Sequence, residues 1–285
     1  MVRTSLILFC ACISIGMVLT TYPVVILHGI GDSCSGGYMK SFPKKVNKIF
    51  GVYSTCIESG GGAKDFSTSI RTQAEKACQN ILANENLQGD FSIVALSQGG
   101  LIARYIIEKC PTKGKVKRLV SIGTPHMGVS KLPHCFSGII CYVLKKFVSL
   151  IIYTSSIQKN IGPAGYFVDN LNFERYVKNS DFLADINNEK NKKESYKKNF
   201  LYLEKVVLMK FSQDSMIYPK ESAWFEFVDQ YEKVIPLKES MFYLNDNIGL
   251  AELMEKGKVQ FVAVDGDHLQ FDTSDEEKYI LPALQ

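Results

Sequence analysis

Residues 91–106 read FSIVALSQGGLIARYI, and the reading of this stretch decides the fold. Phe91 to Leu96 is an unbroken apolar run rich in β-formers, the pattern of a strand buried on both faces. Leu101, Ile102, Tyr105 and Ile106 then recur at helical spacing until Pro111, which cannot continue a helix. Ser97 stands between the two patterns, with Ala95, Gly99 and Gly100 as small neighbours. A serine on such a tight strand-to-helix turn is a nucleophile elbow. The turn exposes the hydroxyl above the sheet, and the helix N-terminus beside it favours negative charge. Taken alone the same serine could be a helix N-cap, and Ala95 occupies the place where the G-x-S-x-G pattern has glycine. The case rests on what surrounds the segment.

Upstream, Tyr22 to Leu27 is a short β-rich run that enters His28-Gly29-Ile30-Gly31-Asp32. A glycine-rich loop there can present the Ile30 N–H, which with the Gln98 N–H after the serine makes an oxyanion hole. Val52 to Ile57 reads as another strand, closed by Gly60-Gly61-Gly62, and from Ser69 to Ala83 the residues Ile70, Ala74, Ala77 and Ile81 mark one helix face. Val116 to Ile122, Val206 to Phe211 and Val259 to Val264 supply further strands. Strands alternating with helices predict a mostly parallel sheet covered on both faces. With the elbow and oxyanion loop in this order, the expected fold is the α/β-hydrolase fold. The rhythm lapses between Pro133 and Lys205, too long for an ordinary loop, so a helical insertion at about 133–205 is expected over the sheet edge. No repeat or low-complexity linker divides residues 21–285, which are expected to form one domain.

The fold's chain order is serine, acid, histidine. Of His28, His126, His134 and His268, only His268 follows the last strand, in Val264-Asp265-Gly266-Asp267-His268. His28 abuts the oxyanion loop and suits a structural duty, as His126 does after Thr124-Pro125; His134 has no catalytic context. Asp214 lies just past the strand Val206–Phe211, where the acid that accepts the His268 Nδ1–H is expected. Asp265 and Asp267 suit the shaping of the histidine loop, and Asp267 stays open as an alternative acid.

Composition sets the outer bounds. The chain has 285 residues, 46% hydrophobic and 22% charged, with a net charge of +4. The basic residues are dispersed, and the densest run, Lys190 to Lys198, is interrupted by Glu194 and has no stacking ladder, so nucleic-acid binding is excluded. Arg3, the apolar run Leu6 to Leu19 and the polar Thr20-Thr21 follow the plan of a cleaved signal peptide over residues 1–20. Phe136 to Ile152 is the next most apolar stretch, but Lys145 and Lys146 break it, so no stable membrane span is expected. Loss of Cys10 and Cys12 with the leader leaves Cys34, Cys56, Cys78, Cys110, Cys135 and Cys141, an even set suited to disulfides in an oxidising compartment. No pair among them has C-x-x-C spacing, and neither a metal nor an organic cofactor is called for. The chain contains no N-x-S/T sequon.

These residues together resemble the palmitoyl-protein thioesterases over nearly the whole chain after the leader. The resemblance is carried by Leu27-His28-Gly29-Ile30-Gly31-Asp32-Ser33-Cys34, Leu96-Ser97-Gln98-Gly99-Gly100, Phe182-Leu183-Ala184-Asp185-Ile186-Asn187 and Glu194-Ser195-Tyr196-Lys197-Lys198-Asn199. Asp214-Ser215 and Gly266-Asp267-His268-Leu269-Gln270 complete it. It implies a lysosomal or secreted enzyme that removes long acyl chains from cysteine thiols of S-acylated proteins or peptides. It puts nucleophile, acid and base at Ser97, Asp214 and His268. It also implies disulfides Cys78–Cys110 and Cys135–Cys141, which leaves Cys34 for Cys56; relatives often carry two adjacent cysteines where this chain has Cys34-Ser35. Specificity then requires an apolar groove for the acyl chain, expected between the insertion and Met216-Ile217. The alternative is a secreted lipase or carboxylesterase using the same triad on oxygen esters, a reading that Gly123-Thr124-Pro125-His126-x-Gly128 also suits.

Overall fold

The structure, a computed structural model, describes residues 21–131 and 148–285. The expected leader, the Cys135–Cys141 pair and His134 lie outside the described residues. Six strands, β1 (Val24–Leu27), β2 (Ser54–Cys56), β3 (Phe91–Leu96), β4 (Val116–Ile122), β5 (Lys205–Phe211) and β8 (Val259–Val264), form one sheet in the order β2-β1-β3-β4-β5-β8. Every pairing within it is parallel. This is the α/β-hydrolase fold that the sequence predicts. A separate antiparallel pair, β6 (Phe227–Val228) and β7 (Val234–Ile235), was not legible in the sequence.

Side-chain alternation along each strand divides the core into two layers. Val25, Leu27, Ile93, Ala95, Leu119, Val206 and Leu208 face one side, against helices α2 (Ile70–Leu82) and α3 (Gln98–Lys109). Val24, Ile26, Val94, Leu96, Val120, Val207 and Met209 face the other, against α1 (Gly37–Phe50) and residues 280–284. Helix α1 turns Met39, Phe42, Pro43 and Val46 inward and ends at Gly51, whose φ of 66° supplies the left-handed cap. Disulfides join Cys34 to Cys56 and Cys78 to Cys110; the first ties the end of β2 to the loop after β1, the second ties α2 to the end of α3.

Residues 148–204 are built from short helices, among them Phe173–Asn179, Leu183–Ile186 and Glu194–Phe200, packed over α2 and α3 through Phe182, Leu183, Ile186 and Phe200. The fully buried Arg104 of α3 fastens this layer. Its guanidinium donates to Glu108 Oε1 (3.0 Å), Asn187 Oδ1 (2.7 Å) and the carbonyls of Ile186 (2.6 Å) and His126 (3.2 Å), and it lies over the Phe225 ring. Asp185 accepts from Arg71, Lys109 and Lys193. The distinctive Ala184–Asn187 segment is thus a clamp between the sheet layer and the cover. Among the described residues, no helix is long and apolar enough to cross a membrane.

Candidate active site

The site lies at the carboxyl ends of the strands, where loops from four parallel strands converge. Ser97 follows β3 directly and has φ 50° and ψ −124°, a left-handed strain that costs a non-glycine residue roughly 1–3 kcal/mol. The turn is held by the Ser97 N–H on the Ile122 carbonyl (2.8 Å) and the Gly100 N–H on the Ser97 carbonyl (3.0 Å). Its glycines are obligatory for close approach. A Cβ on Gly99 would stand 2.6 Å from the His28 carbonyl oxygen, and one on Gly100 would collide with the Thr124 side chain. Ala95, in place of the usual glycine, fits within β3 opposite Leu27 and Ser121.

His268 reaches the elbow from the loop after β8, its Nε2 3.0 Å from Ser97 Oγ and its Nδ1 2.7 Å from Asp214 Oδ2. The other oxygen of Asp214 accepts the N–H groups of Met216 (2.9 Å) and Ile217 (2.8 Å), so the carboxylate cannot swing away from the ring. Both side chains are largely removed from solvent. Asp214, His268 and Ser97, separated by up to 171 residues, form one hydrogen-bonded chain.

Asp267, the alternative acid, is occupied elsewhere. It accepts from the Ser215 N–H and hydroxyl and from the His268 N–H, contacts that hold its carboxyl below the usual carboxylate range. Asp265 accepts from the Ser212 hydroxyl and the Gln213 amide. His126 is fully buried and stacked on Phe225 at 4.2 Å, with Nε2 on Ser121 Oγ. Burial, and then the Arg104 charge, push it well below the usual histidine range, so it is a neutral packing residue. His28 is buried under the glycine loop, against Glu58.

Ile30 lies in that loop and Gln98 opens α3, so its N–H is one of the helix's free first-turn donors. Gly29 brings the loop onto the elbow, since a Cβ there would be 3.2 Å from Ser97 Cβ. The Gln98 side chain is turned away, its Nε2 donating to Gln73 Oε1 (2.8 Å).

A cavity of about 580 Å³ opens beside Ser97 and His268, within the ~300–1,000 Å³ range of small-molecule sites. Its walls are apolar: Ile151, Ile152, Ile157, Ile161, Tyr166 and Phe167 from the cover, with Met216 and Ile217 after the acid. Phe66 and Val129 also line it, and no periodic pattern in the sequence marked either. Leu150, in the same insertion, is 65% exposed instead. Lys131 borders the cavity with its ammonium drawn onto Glu232 Oε2 (2.7 Å) and the Tyr218 ring. Among the described residues, no group of His, Cys, Asp and Glu is arranged to hold a metal.

The family described as palmitoyl protein thioesterase matches residues 23–268. The chain is 37% identical to palmitoyl-protein thioesterase 1 of Caenorhabditis elegans over 262 residues, 88% of each chain. It is 33% identical to palmitoyl-protein thioesterase 3 of Dictyostelium discoideum, over all of this chain and 99% of that one. Lysosomal thioesterase PPT2-B of Xenopus laevis is 29% identical over 86% of this chain and 85% of its own. Among solved structures, the monoacylglycerol lipase of Paleococcus ferrophilus is similar at 16% identity and a TM-score of 0.46, covering 92% of this chain and 93% of that one.

Proposed function

The chain belongs to the palmitoyl protein thioesterase family and is a thioester hydrolase, and from that premise we propose that Ser97, His268 and Asp214 remove long fatty acyl groups from cysteine side chains of proteins or peptides through an acyl-enzyme. One observation carries this reading: the hydrogen-bonded chain from Asp214 to Ser97 ends at the mouth of an apolar cavity.

In this mechanism Ser97 Oγ attacks the thioester carbonyl while His268 Nε2 takes its proton. Asp214 holds the Nδ1 proton in place and stabilises the imidazolium that results. The carbonyl oxygen gains its charge between the N–H groups of Ile30 and Gln98. The carbon–sulfur bond then breaks. A cysteine thiol, with an ordinary pKa of about 8.5, leaves readily as a thiolate or with the proton from His268. Water, deprotonated by His268, attacks the acyl-enzyme and releases the fatty acid. The acyl chain lies in the cavity, where each buried methylene contributes ~0.8 kcal/mol, so half a palmitoyl chain supplies roughly 5 kcal/mol. Each step uses only these side chains, the two backbone N–H groups and water. The relatives named lysosomal thioesterases, together with the Cys34–Cys56 and Cys78–Cys110 bridges, support work in a lysosomal or secreted setting reached through the leader at residues 1–20.

Thiol release from an S-palmitoylated peptide, measured beside the matching oxygen ester and with Ser97→Ala, tests the proposal. Thioester preference that depends on Ser97 is the expected result. Ester cleavage without thioester cleavage would move the substrate to the lipase class. Turnover that survives in Ser97→Ala would overturn the nucleophile.

A further inference from the structure

The proposed oxyanion hole depends on one peptide unit, Gly29–Ile30, whose N–H has to face Ser97. What holds that unit lies behind the loop. The His28 side chain is 1% exposed, and its Nδ1 lies 2.9 Å from the Gly29 carbonyl oxygen. A carbonyl only accepts, so Nδ1 carries a proton. Its Nε2 lies 2.6 Å from Glu58 Oε1, with Ser59 Oγ at 3.3 Å beside the same nitrogen. The second oxygen of Glu58 accepts the Cys34 N–H (3.0 Å), which fixes the carboxyl against the ring. Glu58 and Ser59 therefore hold the ring from its Nε2 side, while Nδ1 donates to the Gly29 carbonyl.

On its other side the buried Asp65 carboxyl lies 3.9 Å from Nδ1 and accepts the N–H groups of Gly31 (3.0 Å) and Gly61 (2.8 Å), which ties the glycine loop to the segment after β2.

The Gly29 carbonyl also accepts the Asp32 N–H (3.3 Å), so it is pinned behind the loop by two donors. The Gly29–Ile30 peptide is trans, and its N–H points opposite to its carbonyl. We infer that His28 is a positioning residue for the hydrolytic reaction: held in place by Glu58, it anchors the Gly29 carbonyl, and so orients and polarises the Ile30 N–H for the developing oxyanion. The inference rests on the reading of Ile30 as an oxyanion donor. Hydrogen bonding to the carbonyl end of a peptide strengthens donation from its N–H end, so the effect grows with the charge of the transition state. The Cys34–Cys56 bridge belongs to the same device, because it holds Cys34, whose N–H reaches Glu58, against the end of β2.

Two substitutions of the full chain separate this role from packing. An asparagine amide nitrogen sits near the place of Nδ1, and a glutamine amide nitrogen near that of Nε2. His28→Asn thus keeps a donor to the Gly29 carbonyl, whereas His28→Gln keeps the Glu58 contact and loses that donor. The expected result on an S-palmitoyl peptide is a fall in kcat of ~100-fold or more in His28→Gln and about tenfold in His28→Asn, with KM little changed in both. Equal losses, or losses confined to KM, would overturn the inference while leaving the thioesterase reading intact. A second measurement does not depend on turnover. In ¹⁵N-histidine NMR, His28 Nδ1 is expected to carry a proton in the wild type. An unprotonated Nδ1 would refute its hydrogen bond to the Gly29 carbonyl. Failure of the wild type to cleave any thioester would count against the proposed reaction alone, since the NMR result still decides the state of the ring.

Discussion

At the scale of single residues, the strained Ser97 backbone and the glycines packed round it set what substitution can do. Asp214→Asn keeps the shape of the acid but lets the His268 ring take the wrong tautomer, so kcat is expected to fall by about 10³–10⁴-fold with little change in the melting temperature. Steady-state kinetics beside a thermal melt would check both parts. Gly99→Ala is expected to do the reverse first. Its methyl group would meet the Leu27 and His28 carbonyl oxygens, forcing α3 off β1 at a cost of about 1–3 kcal/mol, which a denaturant titration would register. The grouping of Ser97, Asp214 and His268 in one hydrogen-bonded chain was legible from chain order and strand ends, because the sheet dictates those positions. Phe66, Val129 and the His28–Glu58 contact were not. They depend on how distant loops fold over the sheet edge, and no local period records that.

At the scale of elements, β1, β3 and β5 were plain as short, mostly apolar runs because both their faces are covered. Helix α1 was hidden by Pro43, which normally breaks a helix interior, and by lysines between its apolar positions. The Ala184–Asn187 segment read only as a family signature; its physical reason is the buried Arg104, a residue type that a sequence reading puts on the surface. Cys78–Cys110 joins α2 to the end of α3 across 32 residues. Replacing both cysteines by serine is expected to lower stability by about 3–4 kcal/mol, while kcat under folding conditions stays close to wild type. Chemical denaturation paired with an activity assay would show it, and a collapse of kcat without loss of stability would contradict this division of labour.

At the scale of the whole molecule, stability should follow pH through three carboxyls in the layer beside α3. Burial pushes Glu108 up to about 7 against the pull of Arg104, and pushes Glu189 up to about 7 against its hydrogen bond from Tyr176. In the unfolded chain a glutamate sits near 4.5. The folded state therefore keeps protons that the unfolded chain has released. This stability is fully present below about 4.5 and is lost as pH rises through about 7. Asp185 acts in the opposite sense. Its desolvation is outweighed by hydrogen bonds from Lys109 and Lys193 and by the Arg71 charge, which hold it well below its usual range. Its contribution is present above about 3.8 and lost as pH falls below that. The melting temperature is thus expected to be highest between about pH 4 and 5 and to fall from there to pH 8, with Glu189→Gln reducing the alkaline fall. A flat profile would mean that these carboxyls ionise freely in the fold. The placing of the hydrogen-bonded residues at the ends of β3, β5 and β8 also has a bearing on time. Ser97 and His268 are 171 residues apart. At a synthesis rate of about 5–20 residues per second, roughly 9–34 s pass between their emergence from the ribosome. Throughout that interval the nascent chain holds a serine without its histidine, so on the proposed mechanism no acyl group it meets on its way can be cut before the last strand has arrived.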